Sequence, residues 1–573
     1  MIPTCLLALP LLLLPAQDAL TRDALETAVD ESIHWLRGRQ DRETGAYGGV
    51  SETAQVLQVL AASHRAYRPS DGPFVSRAVR SLLAHQRENG AITDGEDAHA
   101  IADTIYAVEA LQALGGFPTE LARSQAFLGD SERPFSCALP LPADRMETTV
   151  REFLKDLLAR VAQDLAQRSA NGSWDDETTR TCNNLRRVIA AAQLMKALEG
   201  KQEPRAAEAL PSFGPADAAP TKKALVRGGA YLVSQALEPG RWGFQGHPDP
   251  GITGMVATAL LSLPAPRDPE VERSIGAALD WLVSLQQQDG SIHAGQMANY
   301  VTSAAVMALA RAGREPDRAV IQRAKSYLML LQSDEGEGYE SADRFYGGVG
   351  YGGDERPDLS NLQMALEALS EAGLAPGDET YQKALTFLQR CQNRSESNTL
   401  EVRDGDTLIV SGNDGGAGYA PGDSKAGYVE LGDGRKIPRS YGSMTYALLK
   451  GYLFAGLPKD DPRVVAAFGW LSKNYTLDVN PGFEGASDPT AAYQGLFYYF
   501  TAMAKALDLY GEETIVDASG AAHAWRRELC GRVVAMQRQD GSWINQNSPR
   551  WYEGDPVLAS AYAMITLGTA LPE

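Results

Sequence analysis

Apolar residues recur at three- and four-residue spacing along nearly the whole chain, which predicts helices rather than strands. In Leu279, Leu282, Val283 and Gln286 the spacing lays one stripe along a helix that ends on glutamine. A glycine-containing turn follows, then a loop, then a second segment rich in alanine and leucine. The unit reads most clearly from Ala78 to Gly115, from Gly276 to Gly313 and from Arg532 to Leu567. Weaker copies begin near Ala24, Val150, Lys223, Val320, Tyr381 and Arg463, giving about nine units. Asn89-Gly90, Asp289-Gly290 and Asp540-Gly541 follow first helices, where glycine supplies the left-handed geometry of a helix exit. No β-branched alternation of strand length recurs, so almost no sheet is expected.

Paired helices of this kind bury their apolar faces either in an open superhelix or in a closed ring. Second helices such as Val301 to Ala312 carry small side chains, which suits an inner ring of closely spaced helices. The loops vary greatly in length, and the stretch from Asn393 to Arg439 is long, polar and glycine-rich. Insertions gathered on one face fit the mouth of a barrel. The expected fold is all-α, an α/α toroid.

Length and composition refine this picture. At 573 residues, two or more domains or a long array are expected. A division into 17–215, N-terminal helical repeats, and 216–573, C-terminal helical repeats, is expected. The net charge of −20 excludes a basic nucleic-acid-binding face. Residues 1–16 hold an apolar run from Leu6 to Leu14, too short to cross a bilayer but suited to a secretory signal cleaved after Ala16. No Lys or Arg precedes that run. A secreted or periplasmic protein is expected, with no integral membrane segment in the mature chain. Cys137, Cys182, Cys391 and Cys530 are scattered and read as buried apolar residues rather than ligands. The seven histidines show no metal-ligand spacing, so neither metal nor cofactor is expected.

The segments "QQQDGSI", "QRQDGSW" and "ANGSWDD" resemble the Gln-Trp motif of squalene and oxidosqualene cyclases, members of the terpene-cyclase and prenyltransferase repeat family. Gln539 and Trp543 match that motif, as does Gln288 with its turn, although Ile292 replaces the Trp. The resemblance covers roughly Ala24 to Leu567 and implies the toroid with a cavity for an isoprenoid or other hydrophobic ligand. It also implies an Asp-rich DxDD acid, which the chain lacks. In "GYGGDERPDLS" only Asp358 opens an expected inner helix, and in "AIADTIYAVEAL" only Asp103 remains. Protein prenyltransferase subunits carry Asp-x-Cys at a similar place, where Asp358-Leu359-Ser360 puts Ser instead of a zinc ligand.

Candidate chemistry gathers in two segments. Tyr346 to Asp354 is glycine-rich and suits a cavity wall that aims Tyr351, Asp354, Glu355 and Asp358 inward. The alternative makes it a tight turn in which Asp358 caps the next helix. "RWYEGDP" brings Trp551, Tyr552, Glu553 and Asp555 before the last inner helix. Asp358 and Glu553 are the candidate acid and base, with Tyr441, Tyr498, Trp551 and Asp555 beside them for ligand binding. Aromatics such as Tyr498 can stabilise a cation or simply fill a core. An acid-initiated isomerase or lyase is one expectation. The chain also fits a non-catalytic binding or scaffold protein of the cell envelope, or a polysaccharide-active α/α barrel.

Overall fold

The computed structural model describes residues 21–41, 43–65, 67–69, 73–95, 97–129, 147–169, 171–199, 213–352, 356–431, 434–483, 486, 488 and 490–572. The expected signal segment, Cys137, Asp354 and Glu355 therefore lie outside the described residues. The chain divides into two compact units, 1–206 and 207–573.

The first unit contains α1 (Arg22–Gly38), α2 (Val50–Ala62), α3 (Pro73–Ala84), α4 (Asp97–Leu114), α5 (Pro118–Leu128), α6 (Glu147–Ala166) and α7 (Thr178–Glu199). Helix α4 packs on α2, and α2 packs on α7. On this row lie α3 against α2, α5 against α4, and α1 and α6 against α7. Leu57, Leu60, Leu111 and Val188 are fully buried at its centre. Asp103 is buried here and accepts hydrogen bonds from the hydroxyls of Ser51 and Thr93, both at 2.6 Å.

The second unit contains α8 (Pro215–Ser234), α9 (Pro250–Leu261), α10 (Pro269–Ser284), α11 (Ala298–Ala312), α12 (Arg318–Leu330), α13 (Leu359–Glu371), α14 (Glu379–Cys391), α15 (Gly442–Phe454), α16 (Pro462–Lys473), α17 (Leu496–Tyr510), α18 (Trp525–Ala535) and α19 (Pro556–Ala570). Helices α9, α11, α13, α15, α17 and α19 pack each on the next, and α19 returns to α9. The even-numbered helices lie outside them, α10 on α9, α12 on α11, α16 on α15 and α18 on α19. Among the described residues, this unit is an α/α toroid of six inner and six outer helices.

Composition decides which helix goes inside. Every residue of α9 from Pro250 to Leu260 is buried, whereas α10 buries only Val271, Ile275, Ala278, Leu279 and Leu282. A helix apolar all round must be surrounded, and one with a single stripe must face water. Small residues set the inner spacing. A Cβ on Gly254 of α9 would lie 3.0 Å from the Ala304 backbone of α11.

Glutamines lock the outer helices together. Gln286 Nε2 donates to Gly290 O in its own turn and to Val320 O on α12, at 3.0 and 2.9 Å. Gln332 and Gln392 repeat the arrangement with Thr380 O and Arg463 O. Gln537 Nε2 donates to Gly541 O and to Ala224 O on α8, both at 2.9 Å, which joins the last outer helix to the first. The glutamines that match the Gln-Trp motif by sequence, Gln288 and Gln539, are exposed two residues further on. Position explains the difference, because Gln286 and Gln537, two residues past the ends of α10 and α18, reach the neighbouring helix and Gln288 and Gln539 point to solvent. Trp543 is fully buried and donates its indole N–H to Val533 O at 2.7 Å. The turn glycine is equally constrained: Gly541 has φ +91°, and a Cβ there would stand 2.6 Å from Arg227 O.

Sheet is nearly absent, as the periodicity implies, and is confined to strands of two or three residues in the loops among the described residues. A short hairpin joins β1 (Gly243–Phe244) to β2 (His247–Pro248). The insertion between α14 and α15 holds β3 (Val402–Asp404), β4 (Thr407–Ile409), β5 (Tyr428–Glu430) and β6 (Lys436–Pro438) in the order β3-β4-β6-β5. Three-residue strands are too short for alternation to register. The Asp404-Gly405 pair at the β3–β4 turn was their available signal.

Candidate functional site

All six inner helices of the toroid begin at one end, and a cavity of about 500 Å³ opens there. Ile252, Tyr300, Ser360, Met444, Tyr498 and Tyr562 contribute one wall residue from the first two turns of each inner helix. Tyr351, Tyr419, Tyr441 and Phe483 add loop aromatics, so aromatic and apolar groups with a few hydroxyls dominate the lining.

The helix starts dictate where the carboxyls sit. Aligned helix dipoles place partial positive charge at this end, and the first N–H groups of each helix need acceptors. Asp249, Asp358 and Asp555 answer that need for α9, α13 and α19. Asp358 is buried, accepts from the Asn361 N–H and the Asn361 side chain, both at 2.8 Å, and lies against the Tyr419 hydroxyl. Burial pushes its carboxyl above the ordinary value although these donors oppose the shift. Its capping role and its burial coexist, but it is not among the residues that line the cavity. Asp555 likewise caps, accepting from Val557 N–H at 2.8 Å, and stands outside the lining.

Helix α17 differs. Gly495 precedes it with φ +66° and has no side chain to offer. Glu553 fills that gap from the loop before α19, accepting from the Tyr498 N–H and from Asn545 Nδ2, both at 2.8 Å. Glu553 is fully buried and lies against the cavity. Burial pushes its carboxyl up to about 7, against the pull of the N–H groups of α17 and of Asn545. A carboxyl in that range exchanges protons near neutral pH.

Tyr498 connects the two candidate carboxyls. Its backbone serves Glu553, while its hydroxyl meets Ser360 Oγ at 3.0 Å, two residues after Asp358. Gln363 Nε2 donates to the same hydroxyl at 3.1 Å, and Tyr300 and Tyr562 pair their hydroxyls at 3.4 Å. Of the sequence-derived candidates, Tyr351, Tyr441, Tyr498, Trp551 and Glu553 line one cavity. Sequence reasoning missed Tyr300, Tyr419, Tyr562, Phe244, Phe483 and Lys425, which share that wall. Tyr300 and Tyr562 stand one and two turns into inner helices, a position that could have flagged them.

The glycine-rich stretch serves backbone packing. A Cβ on Gly347 would meet Lys383 O on α14 at 2.0 Å, and one on Gly352 would stand 3.0 Å from Ala298 on α11. Asn299 then binds the stretch, its N–H donating to Tyr351 O at 2.9 Å and its side chain to Gly350 O at 2.9 Å. The glycines thus bring Tyr351 to the cavity. At the mouth, Met297, Trp551 and Tyr552 have φ of 50°, 60° and 61°, a left-handed backbone that costs non-glycine residues about 1 kcal/mol or more each.

Below the cavity, Glu367 of α13 is buried between Lys450 of α15 and Lys505 of α17 and accepts hydrogen bonds from both ammonium groups. Burial alone would raise the Glu367 carboxyl, but the two ammoniums overcome it and hold it at about 2. Among the described residues no cluster of His, Cys, Asp and Glu is arranged to hold a metal ion. Cys182, Cys391 and Cys530 are buried free thiols. Among the same residues, no helix is long and apolar enough to cross a membrane.

No family model matches the chain, and no curated protein matches it. Solved structures are similar at low identity. The type II terpene cyclase MstE from Scytonema, in its apo form, shares 15% identity over 62% of this chain and 98% of its own, with a TM-score of 0.39. A variant of that cyclase in complex with merosterolic acid A as product gives the same identity and coverage, with a TM-score of 0.40. A protein from Actinoplanes shares 18% identity over 61% of this chain and 100% of its own, with a TM-score of 0.35. The toroid itself is established by the ring of helix contacts within residues 207–573.

Proposed function

We propose that this protein binds an isoprenoid-like apolar small molecule inside the toroid and protonates it, acting as an acid-initiated isomerase or lyase after export from the cell. One observation carries the proposal: Glu553, with its carboxyl pushed up to about 7, lies against a cavity walled mainly by aromatic and apolar side chains. In such a wall a neutral carboxyl can deliver a proton to a double bond, and the faces of Tyr300, Tyr498 and Tyr562 can stabilise the resulting cation. Glu553 is the proposed donor. Asp358 is a positioning residue, which orders α13 and reaches the lining through Tyr419.

A second reading is favoured by a specific contact. The Glu553 carboxylate already accepts from Tyr498 N–H and Asn545, which suits a purely structural cap and a non-catalytic ligand-binding protein. The polysaccharide reading finds little support, since glycan cleavage calls for an open polar groove with paired carboxyls.

The purified protein incubated with squalene, farnesol and geranylgeraniol, followed by extraction and mass spectrometry, separates these readings. Rearranged products that fall about a hundredfold in Glu553→Gln support proton donation. Products undiminished in that variant remove Glu553 from the reaction. Retention of unaltered lipid supports the binding protein, and no retention at all defeats both.

A further inference from the structure

We propose that Met297, Trp551 and Tyr552 form an apolar clamp that grips the part of the ligand lying at the cavity mouth, an inference that rests on the apolar-ligand reading above. All three line the cavity. All three are large apolar or aromatic residues left exposed, at 49%, 49% and 68%. All three also adopt left-handed backbone. Among the described residues of 207–573, Gln245 is the one other non-glycine with such a backbone, and it occupies the β1–β2 turn next to Phe244. Phe244 in turn packs on Tyr552, ring centroids 4.8 Å apart.

Two separate penalties therefore coincide at one rim. Water disfavours exposed aromatic surface, and sterics disfavour φ near +60° for bulky side chains. The path of the chain explains neither choice. Glycine or asparagine at 551 and 552 would follow the same turn without strain and would bring Glu553 equally well to α17. What glycine and asparagine could not supply is apolar area over the opening. Strain concentrated where side chains overhang a cavity is the pattern of a ligand clamp. Bound ligand would cover Trp551 and Tyr552, removing their exposed surface from water and adding to affinity.

The test is the double variant Trp551→Asn/Tyr552→Asn in the full chain, with tritiated geranylgeraniol as probe in equilibrium dialysis. Asparagine accepts the left-handed backbone, so the fold and the Glu553 seat are retained. The expected result is affinity weakened about tenfold or more, with a melting temperature equal to or above that of the unaltered protein. Val516→Asn, at an exposed apolar position elsewhere on the same unit, leaves affinity unchanged. Affinity of the double variant within about twofold of the unaltered protein overturns the clamp while leaving the cavity reading intact. Unchanged affinity together with lost sedimentation on phosphatidylcholine vesicles overturns it too, and assigns the rim to a lipid surface. If the unaltered protein retains no geranylgeraniol, the cavity reading falls and takes the clamp with it.

Discussion

The carboxyl of Glu553 accepts a hydrogen bond from the backbone N–H of Tyr498 at 2.8 Å, so the acid of the cavity and its aromatic wall are held by one contact. The loop before α19 thereby supplies the cap that Gly495 cannot give to α17. Any proton leaving Glu553 changes the charge at the start of that helix.

This coupling predicts a pH dependence of stability. The carboxyl rises from an ordinary 4.5 to about 7 in the folded chain, so folding favours its protonated form. The contribution is fully present below pH 4.5 and is lost as pH rises through 7, by roughly 3 kcal/mol at most. Urea unfolding of Glu553→Gln at a series of pH values should show a flatter profile across that window. An unaltered profile would mean that Glu553 is ionised throughout.

Glu367 has the opposite sign. Lys450 and Lys505 hold its carboxyl at about 2, so its contribution is present above pH 4.5 and is lost as pH falls toward 2. Glu367→Gln leaves the buried Lys450 ammonium facing the half-buried Lys505 ammonium with no counter-charge and should cost about 3 kcal/mol. Replacing all three with Met should recover most of that loss, because an apolar triad has no charge to desolvate. Urea midpoints of the single and triple variants check both statements.

Ring closure can be weighed by comparing two glutamines. Gln537→Ala removes the bond to Gly541 O in its own turn and the bonds to Ala224 O and from Arg227 on α8, and should cost about 1–3 kcal/mol. Gln539→Ala, at the exposed position, should stay within about 0.5 kcal/mol of the unaltered protein. Thermal melts distinguish the two outcomes, and equal losses would contradict the assigned contacts.

Inner-ring spacing gives a further prediction. Gly254→Val pushes a branched side chain into the Ala304 backbone, where even a Cβ stands at 3.0 Å. The α9–α11 contact must open, at about 1–3 kcal/mol, and the neighbouring cavity wall at Ile252 and Val301 should shift. Calorimetry measures the loss, and retained geranylgeraniol reports the wall.

Much of the fold was legible along the chain because helices are local. The Leu279 and Leu282 stripe marked α10 as an outer helix, and the alanine-rich run after Val301 marked α11 as an inner one. The Asp-Gly turns declared their left-handed glycines. The short strands of the Asn393–Arg439 insertion stayed hidden, since three residues carry too little periodicity.

The candidate site was legible only in part. Glu553, Tyr441, Tyr351 and Trp551 were named from residue type and position ahead of inner helices, and Tyr498 from its place within one. The sequence by itself determined the helices, their inner or outer character and the carboxyls at helix starts, because spacing, side-chain size and capping chemistry act over a few residues. Only the tertiary structure decided that Glu553 rather than Asp358 lies against the cavity, that Gln537 closes the ring, and that Glu367 is clasped by two lysines. Those outcomes depend on which helices become neighbours after closure, and contacts spanning up to 313 residues leave no trace in local spacing.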